Sequence, residues 1–470
     1  MMGRNVLIQM ASGLISGLIT FLTLSFSARL FGPRILGTLA YVLGLTGLVF
    51  AFSDLGFSRA HIYFTAVFKK TSQTLGTFLR LKLGLLLISA FIAVIIASIN
   101  KTEFKGLFTL ILIYELITRF SDSILITFEA LQKSLPQNLT RLAGKFIKLI
   151  ATIFFGFKLT THLGYSLTFI AESLGVVLIS LWLIRRFFPL SFKSSLAKKY
   201  FQYSLPFFAI MPLSYLQTSS LVVILKQFSS ASEVGYYSAS ANLAGFIKTL
   251  YGAIMIFFFP KISSFFAVKD FKSIQHYADL AIKYLLMIFI PIFLVAFLLR
   301  SEIITLVLGS QFSPAVPVFS LFLLGTFLLM LAAPYGHILY ATKNHRPLVL
   351  VNLITLIITV LLSFILVPNL GAQGSVLASI SAWTFSGFIF LCLVKKKLKL
   401  TILPQLFKFI FPAIIVILSA TWVINYFQYI FMLKLGLTLI SLIIYLIILF
   451  IFKLIQLKDI KYFLSLIKLR

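Results

Sequence analysis

Long apolar stretches alternate with short polar segments along almost the whole chain. A helix needs about 20 apolar residues to cross a bilayer, and fourteen stretches are close to that length or longer. They lie at 6–28, 38–58, 76–99, 106–130, 140–157, 163–184, 203–225, 235–259, 282–300, 316–341, 348–367, 371–394, 405–425 and 431–452. The segments between them are too short for a soluble domain. The pattern therefore predicts an all-α polytopic membrane protein with about 14 transmembrane helices.

Composition narrows the class of protein further. Of the 470 residues, 60% are hydrophobic and 11% are charged, and the mean hydropathy is +1.07. A water-soluble fold has nowhere to hide so much apolar surface, so a soluble enzyme, a disordered chain and a fibrous protein are excluded. The net charge of +30 would suggest nucleic acid in a soluble protein. In a membrane protein it favours membrane lipids as partners instead, because basic loops stay inside and anionic lipids attract them.

The distribution of basic residues predicts the orientation. With the N-terminus inside, the inner segments hold 30 of the 41 Lys and Arg residues and the outer segments hold 8. The other three, Arg59, Arg119 and Lys248, fall within spans or at their edges. Because a missed helix would scramble this alternation, the bias supports both the span count and the orientation. We therefore expect a multi-pass protein of the cell (cytoplasmic) membrane with both termini in the cytoplasm.

Glycine motifs suggest an internal repeat. Leu36-Gly37 opens the second span and Val234-Gly235 opens the eighth, at an offset of 198 positions. Leu163-Gly164 and Leu370-Gly371 open the sixth and twelfth spans, at an offset of 207. Six spans return the chain to its starting side, so parallel repeats about an axis along the membrane normal are possible. We expect an N-lobe at 1–190 (helices 1–6), a C-lobe at 191–399 (helices 7–12) and, at 400–470, helices 13–14 with a cytoplasmic tail.

Several short motifs resemble a known family, the polysaccharide (Wzx-type) flippases. The motifs that carry the resemblance are Ala28-Arg29-Leu30-Phe31-Gly32-Pro33, Asp54-Leu55-Gly56, Val234-Gly235-Tyr236-Tyr237-Ser238, Phe259-Pro260-Lys261 and Gly371-Ala372-Gln373-Gly374. Their order and spacing cover nearly the whole chain. The resemblance implies the fold of the multidrug/oligosaccharidyl-lipid/polysaccharide exporter superfamily, in which two six-helix lobes related by a pseudo-two-fold axis surround a cavity that opens alternately to each side. It also implies a substrate of sugars on a polyprenyl-diphosphate carrier.

Cations inside spans are the first candidates for a substrate site, because a charge in hydrocarbon is costly unless it is used. Lys248, near the middle of the eighth span, is interpreted as a cavity cation for the diphosphate; a structural ion pair or a snorkelling lysine is the alternative. Arg119 is a second candidate, and together the two would clamp the diphosphate from both lobes. Arg59 faces either phosphates at the inner mouth of the cavity or lipid headgroups.

Carboxylates inside spans are candidates for coupling to H+ or Na+. Glu115, Arg119 and Asp122 follow one another at spacings of four and three, so they share a helix face and Arg119 can pair with either acid. The group is either a cavity-lining network that takes up a cation or a neutralised packing cluster. Asp54 is a further coupling candidate, with a structural role at its helix end as the alternative. Glu172, in the sixth span, has no compensating charge nearby in the sequence.

A polar stripe follows one face of the first span. Its members recur three or four positions apart and include Ser12, Ser16, Thr20 and Thr23. Such a stripe lines either a wet cavity or a close helix contact, and Gly13 and Gly17 beside it favour close packing. The resemblance places this span beside the cavity, so the four residues are included in the substrate site. Gln217 in the seventh span is their counterpart by repeat position.

The first functional hypothesis is a transporter, not an enzyme, that flips a polyprenyl-diphosphate-linked oligosaccharide to the outer leaflet, with glycosyltransferases or polymerases as partners. The alternative is a cation-coupled exporter of drugs or small solutes from the same superfamily, whose members usually have twelve spans. A polytopic glycosyltransferase or ligase is a remote alternative, because the outer loops offer only scattered acids. No phosphate-binding glycine loop and no metal motif is present, so we expect no cofactor and no metal.

Overall fold

The chain forms a succession of long helices joined by short connections. The computed structural model describes residues 2–68, 70–99, 105–208, 210–341, 346–398, 403–426, 431–452 and 454. The α-helices of these residues are α1 (Met2–Phe50), α2 (Phe57–Phe68), α3 (Thr71–Ile99), α4 (Lys105–Ala130), α5 (Ser134–Lys158), α6 (His162–Ile184), α7 (Ser194–Ser204), α8 (Ile210–Phe228), α9 (Ala231–Ala267), α10 (Phe271–Leu298), α11 (Arg300–Leu308), α12 (Val316–Ala341), α13 (Arg346–Leu398), α14 (Leu403–Tyr426) and α15 (Phe431–Ile451). Short 3₁₀ turns follow α6, α7 and α11. The tail expected beyond α15 lies outside the described residues, apart from Phe452 and Leu454.

The helices confirm an all-α polytopic fold of about fourteen spans. In the part of the chain that the structure describes, seven helices are long and apolar enough to cross a membrane. Two of the seven are stretches of 40 and 50 residues in α1 and α13, and each covers two of the predicted spans. Helices α4, α5, α8, α9 and α14 occupy the remaining predicted spans. The short helices α2 and α7 lie outside the membrane-spanning set.

Single glycines break α1 and α13 where loops were expected. Gly32 has φ 74° and Gly371 has φ 52°, values that side-chain-bearing residues rarely adopt. One such residue redirects the helix without a loop, so the expected outer loops are reduced to kinks. The second kink is fixed by Glu233, whose Oε2 accepts a hydrogen bond from the amide of Ala372 at 3.0 Å. Glu233, one of the scattered acids of the expected outer loops, thus caps the start of the second half of α13.

The Asp-Leu-Gly motif ends the second predicted span. Helix α1 stops at Phe50, and Leu55 and Gly56 then take φ values of 47° and 82°. A Cβ on Gly56 would lie 2.5 Å from Cβ of Phe207, so the motif needs its glycine for space as well as for conformation. The turn places Asp54 between α1 and α2.

The contacts divide the chain into two compact units. The first contains Met1–Phe246 and Val349–Ala382, and within it α1 packs on α5 and α8 while α6 packs on α4 and α5. The second contains Ile247–Leu348 and Trp383–Arg470, and α10 lies at its centre, in contact with α12, α14 and α15. Helices 13 and 14 of the sequence analysis are therefore a pair, α14 and α15, that packs on α10. The division into lobes at 190 and 399 stays a prediction.

Candidate functional site

The first compact unit contains a group of buried and half-buried charges on α3 to α6. In α4, Nε of Arg119 donates to Oε2 of Glu115 one turn earlier, at 2.8 Å. Both side chains are largely shielded, with 17% and 13% of their surface exposed. The guanidinium also lies over the rings of Phe50 and Tyr215, 5.3 and 5.2 Å from their centroids. Arg119 is therefore a compensated cation that is held between aromatic faces of α1 and α8.

Asp122 does not share this pair. Its Oδ1 accepts from the guanidinium of Arg141 in α5 at 3.2 Å, and both side chains are more than half exposed. The three charged residues on this face of α4 therefore belong to two separate ion pairs, Glu115–Arg119 and Asp122–Arg141. Glu115 is the shielded carboxylate of the three, and Asp122 is the accessible one.

Asp54 is joined to α3 through a cation that the sequence does not single out. Nζ of Lys82 and the hydroxyl of Ser58 both donate to Oδ1 of Asp54, each at 2.5 Å. Lys82 is 5% exposed and lies within electrostatic range of Arg119 and Asp122. The pair connects the Asp-Leu-Gly turn to the charged group on α4. A change of charge at Asp54 would therefore alter the electrostatic potential at that group.

Glu172 is compensated, contrary to the expectation from its sequence surroundings. Its Oε2 accepts from Nζ of Lys148 at 2.8 Å, and Lys145 lies 3.5 Å from Oε1. The ammonium of Lys148 also lies 3.4 Å from the ring centroid of Phe169. Both lysines belong to α5, which packs beside α6, so the partner is adjacent in space while it is more than twenty positions away in sequence.

Lys248 in the second unit has a different environment. Its Nζ lies 4.7 Å from the ring centroid of Trp383, and the side chain is half-buried in α9. Among the residues that the structure describes, no carboxylate lies within ion-pair distance of it. The cation–π contact lowers the cost of burial without neutralising the charge. The structural ion pair considered as an alternative for Lys248 is therefore not formed by the described residues.

The side chains of the polar stripe on α1 differ in their exposure. Ser12 and Ser16 are half-buried, Thr20 is exposed and Thr23 is buried, with its hydroxyl donating to the carbonyl of Ile19 at 2.7 Å. A Cβ added to Gly13 would meet nothing within 4 Å. No described residue therefore packs closely on Gly13, one of the two glycines that favour the close-packing alternative.

Gln217 and Arg59 complete the predicted set. Nε2 of Gln217 donates to Oγ1 of Thr359 at 3.2 Å, which links α8 to α13 within the first unit. Arg59 is exposed on α2, two residues before His61. The structure thus brings Asp54, Glu115 and Arg119 into one charged group and leaves Gln217 and Arg59 outside it.

The partners on neighbouring helices are what the sequence analysis missed. The charge count places Lys82 and Lys148 with the inner loops, whereas the structure shields both inside helices. The sequence gives one indication that these two lysines are shielded, since each lies inside an apolar stretch. Trp383, the partner of Lys248, carries no such signal among 18 Tyr, 52 Phe and 3 Trp.

Comparison with protein families decides what this molecule is related to. A family model described as "Polysaccharide biosynthesis protein" matches residues 26–317, more than half of the chain. The chain belongs to this family. The resemblance to polysaccharide flippases that the motifs indicate is thereby confirmed. No curated protein matches the chain significantly.

Solved structures share the fold of this chain. The structure described as "Lipid II flippase MurJ, inward closed conformation" has a TM-score of 0.74 and 16% identity, over 94% of this chain and 98% of MurJ. An inward-facing MATE family transporter of the MOP superfamily has a TM-score of 0.55 and 15% identity, over 84% of this chain and 94% of its own. A mutant of the Vibrio cholerae MATE transporter VcmN has a TM-score of 0.53 and 15% identity, over 84% and 97%. The chain shares the fold of these flippase and transporter structures.

Proposed function

We propose that the protein flips a polyprenyl-diphosphate-linked oligosaccharide from the cytoplasmic to the outer leaflet by alternating access. The family is one of polysaccharide biosynthesis, and the fold is that of MOP-superfamily transporters. The solved structure with a TM-score of 0.74 is described as a flippase for lipid II. The protein acts as a transporter in the cell membrane, with lipid-linked oligosaccharide as substrate and with glycosyltransferases or polymerases as functional partners.

The observation that carries the proposal is the state of Lys248. A lysine near the middle of a long membrane helix is costly, and Lys248 has an indole ring beside it but no carboxylate among the described residues. A diphosphate that contacts Nζ would supply the missing negative charge and would recover part of that cost during transport. Trp383 keeps the ammonium in place while the site is empty, because a cation–π contact holds a charge without cancelling it.

Arg119 and the charges around it have a second role in the proposal. Since Arg119 is already paired with Glu115, a phosphate would have to compete with that carboxylate. A proton taken up by Glu115 would release the guanidinium for the diphosphate, so binding of substrate and of H+ would be linked. Asp122 and Asp54 are the other carboxylates of this group, and Na+ is the other cation to be tested. The stripe Ser12, Ser16, Thr20 and Thr23, with Gln217 and Arg59, supplies neutral and cationic contacts to the sugars and the inner mouth.

The second candidate function is cation-coupled export of a drug or small solute. The buried carboxylates Glu115 and Asp54 and the likeness to MATE transporters favour it. Against it, similarity to the MATE structures covers 84% of this chain, while similarity to the lipid flippase covers 94% and has the higher TM-score. The difference in coverage supports a protein that carries helices beyond those of the MATE structures, and we assign α14 and α15 to these additional helices.

The experiment measures flipping of a fluorescent polyprenyl-diphosphate oligosaccharide in reconstituted vesicles. Lys248→Ala should reduce the rate about 10- to 100-fold, the range expected when one charge-assisted contact of about 1.5–3 kcal/mol is removed. Lys248→Arg should retain part of the rate. The matched control is Lys158→Ala, which also removes an ammonium from an aromatic ring, that of Phe154 at 4.6 Å, but on an exposed side chain. Normal flipping by a folded Lys248→Ala protein would disprove the role of this cation.

A further inference from the structure

A polar pocket lies outside the proposed substrate site, in the first compact unit. It has a volume of about 200 Å³ and opens between the start of α3 and the short helix α7. Its polar lining consists of Lys70, Gln73, Thr74, Lys193, Ser195 and Lys199. Three lysines therefore line one small space, and the lining contains no carboxylate.

The segments that line the pocket contain no acidic residues to balance this positive charge. The lining comes from two segments, and neither 55–102 nor 173–232 contains an Asp or Glu residue. No described carboxylate lies within ion-pair distance of Lys70, Lys193 or Lys199. The contact found for Lys199 is the ring of Phe68, 5.3 Å from its Nζ. Three like charges that repel one another in a cavity favour the binding of an anion.

The walls of the pocket are held by a buried network behind it. The hydroxyl of Tyr200 in α7 donates to the carbonyl of Thr74 in α3 at 3.2 Å, and Nδ1 of His61 lies 2.9 Å from the same hydroxyl. Thr65 in α2 donates to Oγ1 of Thr74 at 3.1 Å. Helices α2, α3 and α7 are thus joined directly beneath the three lysines. A pocket whose walls are fixed in advance loses little entropy when a ligand binds.

We infer that this pocket binds a phosphate group, presented either by the headgroup of an anionic lipid or by a soluble phosphate compound. Ammonium groups bind phosphate oxygens as point charges, and the side chains of Gln73 and Ser195 add hydrogen-bond donors. The site is independent of the proposed function, because it shares no residue with the proposed substrate site.

The test uses the full-length protein in a neutral detergent and titrates it with inorganic pyrophosphate by calorimetry. Lys199→Gln should weaken binding about tenfold, which corresponds to the loss of one charge-assisted contact. Lys198→Gln is the matched control, because it removes the same charge from the next residue, which is also exposed but does not line the pocket. The triple variant Lys70→Gln/Lys193→Gln/Lys199→Gln should remove one saturable site for pyrophosphate while the protein stays folded, and any binding at Lys248 should remain. Equal weakening by Lys198→Gln and Lys199→Gln, or no saturable binding to the native protein, would overturn the inference.

A second arm identifies the source of the phosphate. The same titration is made with the protein in nanodiscs of phosphatidylcholine alone and of phosphatidylcholine with phosphatidylglycerol. If the headgroup is the ligand, phosphatidylglycerol will compete with pyrophosphate in the native protein, and the competition will be absent in Lys199→Gln. If a soluble compound is the ligand, pyrophosphate affinity will be the same in both nanodiscs. Either result upholds the phosphate site.

Discussion

Gly37 of α1 and Gly235 of α9 face each other at a contact that leaves no room for a side chain. A Cβ on Gly37 would lie 1.7 Å from the carbonyl oxygen of Ala231, and a Cβ on Gly235 would lie 2.0 Å from that of Pro33. The offset of 198 that relates the two glycines also relates Pro33 to Ala231. The same offset therefore relates one contact to the other. Residues that pack across a two-fold axis show this reciprocal arrangement. The motif glycines are the points at which α1 and α9 touch.

We expect Gly37→Ala and Gly235→Ala each to destabilise the protein by about 1–3 kcal/mol, the cost of overpacking a tight site. The clashing atoms belong to the backbone, which cannot turn away as a flexible side chain would. The matched controls are Gly13→Ala in α1 and Gly245→Ala in α9, where a Cβ meets nothing within 4 Å. Thermal unfolding in detergent measures the difference. Equal melting temperatures for the two pairs of variants would contradict the close contact.

The two ion pairs of α4 should differ in their contribution to stability. Glu115→Gln leaves the shielded guanidinium of Arg119 without its counter-charge and should cost about 1–3 kcal/mol. Asp122→Asn breaks an exposed pair with Arg141 and should cost less than about 1 kcal/mol. Unfolding of both variants in the same detergent tests the order. A larger loss for Asp122→Asn than for Glu115→Gln would contradict the predicted order.

His61 should make stability depend on pH. The hydroxyl of Tyr200 donates to the carbonyl of Thr74, so Nδ1 of His61 donates to that hydroxyl and Nε2 accepts from Oγ1 of Thr127, at 2.9 Å each. The ring is therefore neutral, and burial lowers the pKa of His61 to about 3. An unfolded histidine has a pKa of about 6.5 and takes up a proton below that value. Stability should be constant with respect to this group above pH 6.5 and should fall as the pH decreases toward 3.

The slope of that decrease is at most about 1.4 kcal/mol per pH unit for one histidine. His61→Gln should be less stable at neutral pH, because it disturbs the network, but its stability should change less between pH 6.5 and 4.5. His276→Gln, at an exposed histidine of α10, controls for the loss of a histidine that has no part in the network. Melting temperatures across this range provide the measurement. An unchanged slope in His61→Gln would mean that His61 is not the titrating group.

The orientation of the chain can be tested with single cysteines. Cys392 is the one cysteine of the sequence and is exposed, so Cys392→Ser gives a background without thiols. Cysteines placed at Lys198 and Lys396, both exposed, should react with an impermeant maleimide after the cells are permeabilised but not before. A cysteine at Asn369, beside the kink at Gly371, should react in intact cells. Labelling of Asn369→Cys that requires permeabilisation would invalidate the span count.

The sequence by itself determined the features that depend on local hydropathy. An apolar stretch of spanning length forms a helix because lipid offers no partner for its backbone groups, whatever the rest of the chain does. The order of the helices, their all-α class and the positions of the turns at Asp54-Leu55-Gly56 and Gly371 follow from that requirement. The Leu-Gly motifs also pointed to Gly37 and Gly235 before their contact was known.

The tertiary structure decided which charges meet. Glu172 appears uncompensated until α5 lies beside α6, and Lys82 reads as a loop lysine until the turn after α1 brings Asp54 to it. Lys248 has no carboxylate partner in the sequence pattern or among the described residues, and only the structure supplies Trp383 as its neighbour. The reason is physical: hydropathy sums over neighbours in sequence, whereas an ion pair or a cation–π contact depends on the rotation of each helix about its axis. That rotation is set by close contacts such as the one between Gly37 and Gly235, which join residues far apart in the chain.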